Sequence, residues 1–119
     1  MTVSLTPTPT LTFACHVGDV PAGEGRAVTI DGRRIAIFRT AAGWFAIDQA
    51  CPHAGGPLAD GIAADCSVIC PLHERRFALD TGEPIGHDGP PVAAHRVEVS
   101  SDGRVLVQLA PVVELRDAA

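Results

Sequence analysis

Ala27-Val28-Thr29-Ile30-Asp31-Gly32-Arg33-Arg34-Ile35-Ala36-Ile37-Phe38 is the stretch that decides the fold. Two apolar runs flank Asp-Gly, a dipeptide that accepts the positive φ angles of a tight hairpin turn, so strands are predicted over 27–30 and 35–38. Beyond them, Ala41-Ala42-Gly43 separates off Trp44-Phe45-Ala46-Ile47, which extends the meander by another strand. Toward the other end, Arg96–Val99 and Arg104–Leu109 alternate polar and apolar residues around Ser101-Asp102-Gly103, predicting a second hairpin.

Between these hairpins, Cys51 to Pro91 is rich in Gly and Pro, with brief strand candidates only at Ser67–Ile69 and Phe77–Leu79. No amphipathic helix of ordinary length is visible; a short turn is expected near Gly55 to Ala59. The reading is all-β: a strand frame interrupted by a loop-rich insertion over about 49–91. Thr6-Pro7-Thr8-Pro9-Thr10 is expected to be extended, because proline fixes its own φ and biases its predecessor away from helix. Residues 1–10 are read as a leader, 11–112 as a single domain and 113–119 as a tail.

The 119 residues suit one domain but are too few for a multi-cofactor redox enzyme, so any enzymatic role is expected to be that of a subunit. Hydrophobic residues at 46% and charged ones at 19% are a globular balance. Nine Lys and Arg against fourteen Asp and Glu leave a net charge of -5, which argues against a nucleic-acid partner, because phosphate binding needs clustered positive charge. Met1–Leu11 lacks the basic start and apolar run of a secretory signal, and no segment has the roughly 20 apolar residues of a membrane span. A cytoplasmic protein without a membrane anchor is expected.

In a reducing compartment four cysteines point to metal, catalysis or burial rather than disulfides. Cys51-Pro52-His53 and Cys70-Pro71-Leu72-His73 each offer one sulfur and one imidazole. A Rieske-type [2Fe–2S] centre needs two thiolates on one iron and two imidazoles on the other, which this paired supply meets. The rivals are a mononuclear zinc site, whose usual Cys-x₂₋₄-Cys and His-x₃₋₅-His grouping is absent, and buried cysteines beside incidental histidines. Gly55 and Gly56 would let backbone N–H groups approach the cluster sulfides.

Cys51-Pro-His53-Ala-Gly-Gly-Pro-Leu-Ala-Asp-Gly61 and Cys70-Pro-Leu-His73 resemble the two boxes of the Rieske family, and the β-rich flanks extend the resemblance over roughly residues 11–110. It implies three antiparallel sheets, with a small cluster-binding subdomain inserted into a β-sandwich base, and one [2Fe–2S] cluster per chain. By that resemblance Cys51 and Cys70 would ligate the buried iron, and His53 and His73 the iron nearer solvent, through whose edges electrons would pass. Respiratory members carry a disulfide-bonded cysteine in each box, where this chain has Gly56 and Leu72. They also place Ser and Tyr hydroxyls after the second box, where Arg75 and Phe77 stand here. Fewer hydroxyl donors, and Glu74 after the second histidine, imply a potential at the low end of the family range of about −150 to +300 mV.

Within the family, Ile35–Arg39, Trp44–Asp48 and the first box look most like the small subunit of cytoplasmic NAD(P)H-dependent assimilatory nitrite reductase. That resemblance implies a large partner subunit carrying flavin, a [4Fe–4S] cluster and sirohaem, reducing nitrite to ammonium. The alternative is a free Rieske ferredoxin supplying an aromatic-ring dioxygenase, and a third is a zinc-bearing or cluster-free interaction domain.

Other candidates read as structural. His16, His87 and His95 lie outside both boxes, with His87 in the Gly86–Pro91 loop the best placed to border a cluster. Cys15 and Cys66 read as small hydrophobes. Trp44 and Phe45 read as packing, and Arg75 and Arg76 equally as solvated surface or as a steering patch. Gly23-Glu24-Gly25 lacks the third glycine and helix of a dinucleotide site. No Ser-His-Asp set or carboxylate pair is suggested, so the chain is not expected to be catalytic on its own.

Overall fold

Asp31 and Gly32 both adopt left-handed backbone, with φ of 51° and 78°, and turn Glu24–Ile30 back onto Arg33–Thr40. This is the turn the Asp-Gly pair predicts, because its twist matches that of the strands it joins. The computed structural model describes residues 10–52, 56–72 and 74–110. The expected leader, apart from Thr10, and the tail therefore lie outside the described residues. So do Gly55, at the start of the expected short turn, and the two candidate ligands His53 and His73.

Ten strands are described: β1 (Leu11–His16), β2 (Glu24–Ile30), β3 (Arg33–Thr40), β4 (Gly43–Asp48), β5 (Ile62–Ala64), β6 (Ser67–Ile69), β7 (Arg76–Ala78), β8 (Pro84–Ile85), β9 (Ala94–Val99) and β10 (Arg104–Gln108). The helical elements among the described residues are single 3₁₀ turns at Val17–Asp19 and Leu58–Asp60, the latter overlapping the end of the segment where a turn is expected. No helix among them is long and apolar enough to cross a membrane. The fold is all-β and antiparallel, as expected.

Two sheets form, one in the order β1-β10-β9-β4-β3-β2 and one in the order β5-β6-β7-β8. The two sheets expected in the base are joined through β9, which pairs with β4 at Ala94 and His95 and with β10 over Arg96–Val99. Cys15 of β1 and Ile30 of β2, from opposite edges of this ribbon, enter one core with Ile35, Ile37, Val105 and Val107. The six-stranded sheet is thus folded over on itself, which makes the sandwich base.

β3 is buried on both faces, and its register explains the unbroken apolar run Ile35–Phe38. Successive strand residues point to opposite sides. Ile35 and Ile37 enter the core of the base, while Ala36 and Phe38 enter a second core with Leu58, Val68, Phe77 and Leu79. β4 repeats the pattern, with Ala46 in the first core and Ile47 in the second. Trp44 and Phe45 pack against the two cores, one each, and Arg39 lies over the Trp44 ring at 5.2 Å, so both aromatics serve packing as expected.

β4 and β9 are neighbours although the chain between them runs from Gln49 to Ala93. Everything in that interval leaves the base and returns to the adjacent strand, and the Asp48 N–H donates to the Ala93 carbonyl at 3.0 Å where the two ends meet. The insertion expected over about 49–91 is this excursion. Its four-stranded sheet turns Ala63, Val68 and Phe77 toward the second core, so shared burial docks it onto the back of β3 and β4.

Candidate metal centre

The two loops that carry the expected ligands are built alike. Cys51 donates its backbone N–H to the Gly56 carbonyl at 2.9 Å, and Cys70 donates its own to the Arg75 carbonyl at 2.7 Å. Each bond closes a loop five residues on, beginning at the cysteine. Behind the first loop, Ala50 bridges to Pro57, and Gln49 fastens both sides: its carbonyl accepts from Leu58 at 2.9 Å and its side-chain oxygen from Ala59 at 2.9 Å. The second loop is the tip of the β6–β7 hairpin, tightened by Glu74, which donates to the Cys70 carbonyl at 3.0 Å with a left-handed φ of 55°.

Cys51 and Cys70 are both buried, at 2% and 1% exposure. Their loops touch. A Cβ placed on Gly56 would lie 2.9 Å from Leu72 Cγ and 3.0 Å from Cys70 Sγ, so only glycine lets the first loop sit this close to the second. The structure therefore brings two of the four expected ligands into adjoining loops, while His53 and His73 are outside the described residues. Among the described residues no group of three His, Cys, Asp or Glu converges.

A third loop completes the surroundings. Gly86–Pro91 borders a cleft whose walls include Pro52, Arg75, Phe77, His87 and Pro90, residues that follow Cys51, follow Cys70 or come from the loop itself. His87 Nε2 lies 3.0 Å from the Arg76 carbonyl and must donate to it. Nδ1 stands 3.2 Å from both Arg75 Nη1 and the Asp88 carbonyl, and the Phe77 ring meets the imidazole edge-on at 5.3 Å. Arg75 Nε is buried without a partner. The paired arginines of the sequence thus diverge: Arg75 turns in, and Arg76 opens the strand β7 exposed.

These features suit a [2Fe–2S] cluster. Two buried thiols stand in facing loops, a missing Cβ leaves room beside one of them, and a buried N–H lacks an acceptor.

The remaining candidates fall into place as structural. His95 is buried in β9, its Nε2 2.9 Å from Asp48 Oδ1, and His16 is exposed with its ring 5.1 Å from that of Phe13. Cys15 is buried in the base, where burial first and the Asp19 charge second push its thiol up against the pull of Arg26. Cys66 is exposed in the β5–β6 turn. Reasoning from sequence missed the inward turn of Arg75, and Pro90 as a wall of the cleft; the Gly/Pro content of 86–91 was the available signal.

Comparison with known proteins agrees with this geometry. The Rieske [2Fe-2S] domain profile matches residues 10–105. The 3-phenylpropionate/cinnamic acid dioxygenase ferredoxin subunit of Escherichia coli K12 is 39% identical over 75 residues, covering 61% of this chain and 69% of that one. A structure assigned as an NADH-dependent nitrite reductase small subunit from Mycobacterium tuberculosis superposes with a TM-score of 0.80 at 27% identity, over 89% of this chain and 100% of that one. The ferredoxin of carbazole 1,9a-dioxygenase from Nocardioides aromaticivorans IC177 gives a TM-score of 0.77 at 28% identity, over 85% and 99%. With the sandwich base, the inserted hairpin loops and a match over most of its length, the chain belongs to the Rieske [2Fe-2S] family and is an electron-transfer protein carrying a [2Fe–2S] cluster.

Proposed function

We propose that Cys51, His53, Cys70 and His73 hold the cluster, and that the chain is the small electron-transfer subunit of an NAD(P)H-dependent nitrite reductase. The observation that carries the ligand assignment is the contact between the two loops, in which Gly56 meets Leu72 and Cys70 Sγ. A bound cluster supplies reversible one-electron chemistry. The chain's own residues bury both thiols, hold the loops by the Cys51 and Cys70 N–H bonds, and close the cleft with the Gly86–Pro91 loop.

The likeness to the Mycobacterium tuberculosis small subunit, which spans that whole chain, supports the nitrite assignment. On this reading the partner is a large subunit carrying flavin, a [4Fe–4S] cluster and sirohaem, and the chain works in the cytoplasm. The 39% identity to the Escherichia coli dioxygenase ferredoxin favours a second reading, delivery of electrons to an aromatic-ring dioxygenase.

Two measurements test these readings. Iron and sulfide analysis with EPR of the anaerobically reduced protein should show a bis-histidine [2Fe–2S] signal, and a colourless, iron-free protein refutes the ligand assignment. Reconstitution with a sirohaem-containing large subunit should restore nitrite-dependent NADH oxidation. If it does not, while a terminal oxygenase turns over with this chain as donor, the dioxygenase reading replaces the nitrite one.

A further inference from the structure

Arg75 is anchored to the centre by its backbone, because its carbonyl accepts the Cys70 N–H at 2.7 Å. Its side chain lines a cleft that Pro52, which follows Cys51, lines as well, so residues of both ligand loops border the space it faces. There its Nε is buried without an acceptor, an arrangement that costs free energy unless something nearby rewards the charge. Among the described residues no carboxylate pairs with it: Asp88 lines the same cleft and forms no ion pair with the guanidinium, and the neighbouring Glu74 is exposed.

What holds Arg75 is the His87 imidazole rather than a carboxylate. His87 donates its Nε2 proton to the Arg76 carbonyl, and its Nδ1 stands 3.2 Å from Arg75 Nη1, with the Asp88 carbonyl at the same distance. Phe77 packs edge-on against the same ring and keeps it in place. A fixed cation with no anionic partner thus stands against the loops of a centre that gains one negative charge when it takes up one electron. A positive charge at that place favours the reduced form, the more so where water is excluded.

We propose that Arg75, oriented by His87, is the fixed counter-charge to the reduced cluster and raises the reduction potential of this protein. The inference rests on the ligand assignment proposed above. Reduction adds one electron and takes up no proton at Arg75, which stays charged throughout. Arg75 therefore offsets part of what the missing hydroxyl donors and Glu74 withhold. His87 is a positioning residue in this scheme.

Potentiometric titration of the purified holoprotein, with dye mediators and dithionite as reductant, reads the effect without any protein partner. Arg75→Gln should lower the equilibrium constant for reduction on the order of tenfold, about 59 mV for one electron. Arg75→Lys, which keeps the charge, should recover most of that shift. His87→Ala should lower the potential in part, and His87→Gln, whose amide supplies both a donor and an acceptor, should restore it. Arg76→Gln, next in the chain but exposed, should leave the potential where it was.

An Arg75→Gln protein with an intact EPR signal and an unchanged or higher potential overturns the proposal, as do equal shifts from Arg75→Gln and Arg76→Gln. Should Arg75→Gln fail to load its cluster, His87→Ala decides in its place: a lower potential sustains the role and an unchanged one refutes it. A wild-type chain that binds no cluster refutes the ligand assignment as well, whereas a loaded wild type with indifferent variants refutes only the role of Arg75.

Discussion

His95 Nε2 donates a hydrogen bond to Asp48 Oδ1 at 2.9 Å, and it does so as a neutral ring. Its Nδ1 accepts the Ala110 N–H at 2.8 Å, which leaves the proton on Nε2. Arg33 reaches the same network, 3.5 Å from Asp48 and 2.7 Å from the Ala110 carbonyl, so β3, β4, β9 and the end of β10 are tied together where the insertion leaves the base.

That network makes the base acid-sensitive. Burial pushes the Asp48 carboxyl up, but the hydrogen bond from His95, the Arg33 charge and a backbone hydrogen bond from Ala93 together outweigh it and hold the carboxyl below its usual value. A depressed carboxylate pKa contributes stability that is fully present above the unfolded value of about 3.9 and is lost as pH falls through the folded value. Asp48→Asn should therefore cost about 0.5–1 kcal/mol at neutral pH, because the partly exposed carboxylate is screened by solvent, and its stability should converge on wild type at the acid end of the range. Denaturant melts across that range check this; a constant gap at every pH counts against it.

The second core depends on a backbone approach only glycine permits. Gly82, at φ +79°, lies where a Cβ would come within 1.9 Å of the Val92 carbonyl, and its own carbonyl accepts the Val92 N–H at 2.9 Å. Gly82→Ala should destabilise the protein by about 3 kcal/mol or more, combining φ strain with a clash against backbone that cannot swing away. Gly86→Ala is the comparison, with a similar φ of +80° but open space around it, and should cost only about 1–2 kcal/mol. Equal losses in the two would place the cost in φ alone.

The contrast between these strands and those not anticipated shows what local sequence carries. The β2–β3 hairpin was legible because Asp31-Gly32 encodes its own turn, and β9–β10 because Arg96-Val97-Glu98-Val99 alternates and Ser101-Asp102-Gly103 separates it from the apolar run Val105–Val107. β1 was not, because its large residues Leu11 and Phe13 face solvent, at 38% and 48% exposure, while Cys15 supplies the inward contact. β8, with two residues, is too short for any period to register, and β5, Ile62-Ala63-Ala64, buries only a small alanine; both exist through their neighbours in the sheet. The cysteines of the site and the insertion around them could be read from spacing. The opposite fates of Arg75 and Arg76 could not, since they depend on where β7 begins.

Cys66 and Cys70 sit at opposite ends of β6, four residues and roughly 13 Å of extended chain apart. Cys66 is exposed in the turn toward β5, and Cys70 is buried in the loop against Gly56. Cys66→Ser should retain wild-type iron and acid-labile sulfide, and Cys70→Ser should lose both. The reverse pattern would end the ligand assignment made here.

Gly56 and Leu72 stand where respiratory Rieske proteins carry their paired cysteines, and the structure puts these two positions in contact. A Cβ on residue 56 would be 2.9 Å from the γ carbon of Leu72, the place a sulfur takes in a cysteine, within reach of the Cβ separation of about 3.5–4.5 Å that a disulfide requires. The double variant Gly56→Cys/Leu72→Cys should therefore oxidise to a bond between the two loops. Under denaturing conditions the two new thiols should be missing from the thiol count and return on reduction. Gly56→Ala alone gains no bond, yet brings its methyl within 3.0 Å of Cys70 Sγ, so it should lower cluster loading without unfolding the base. If both new thiols stay free under oxidising conditions while the base remains folded, the two loops do not meet at these positions in solution.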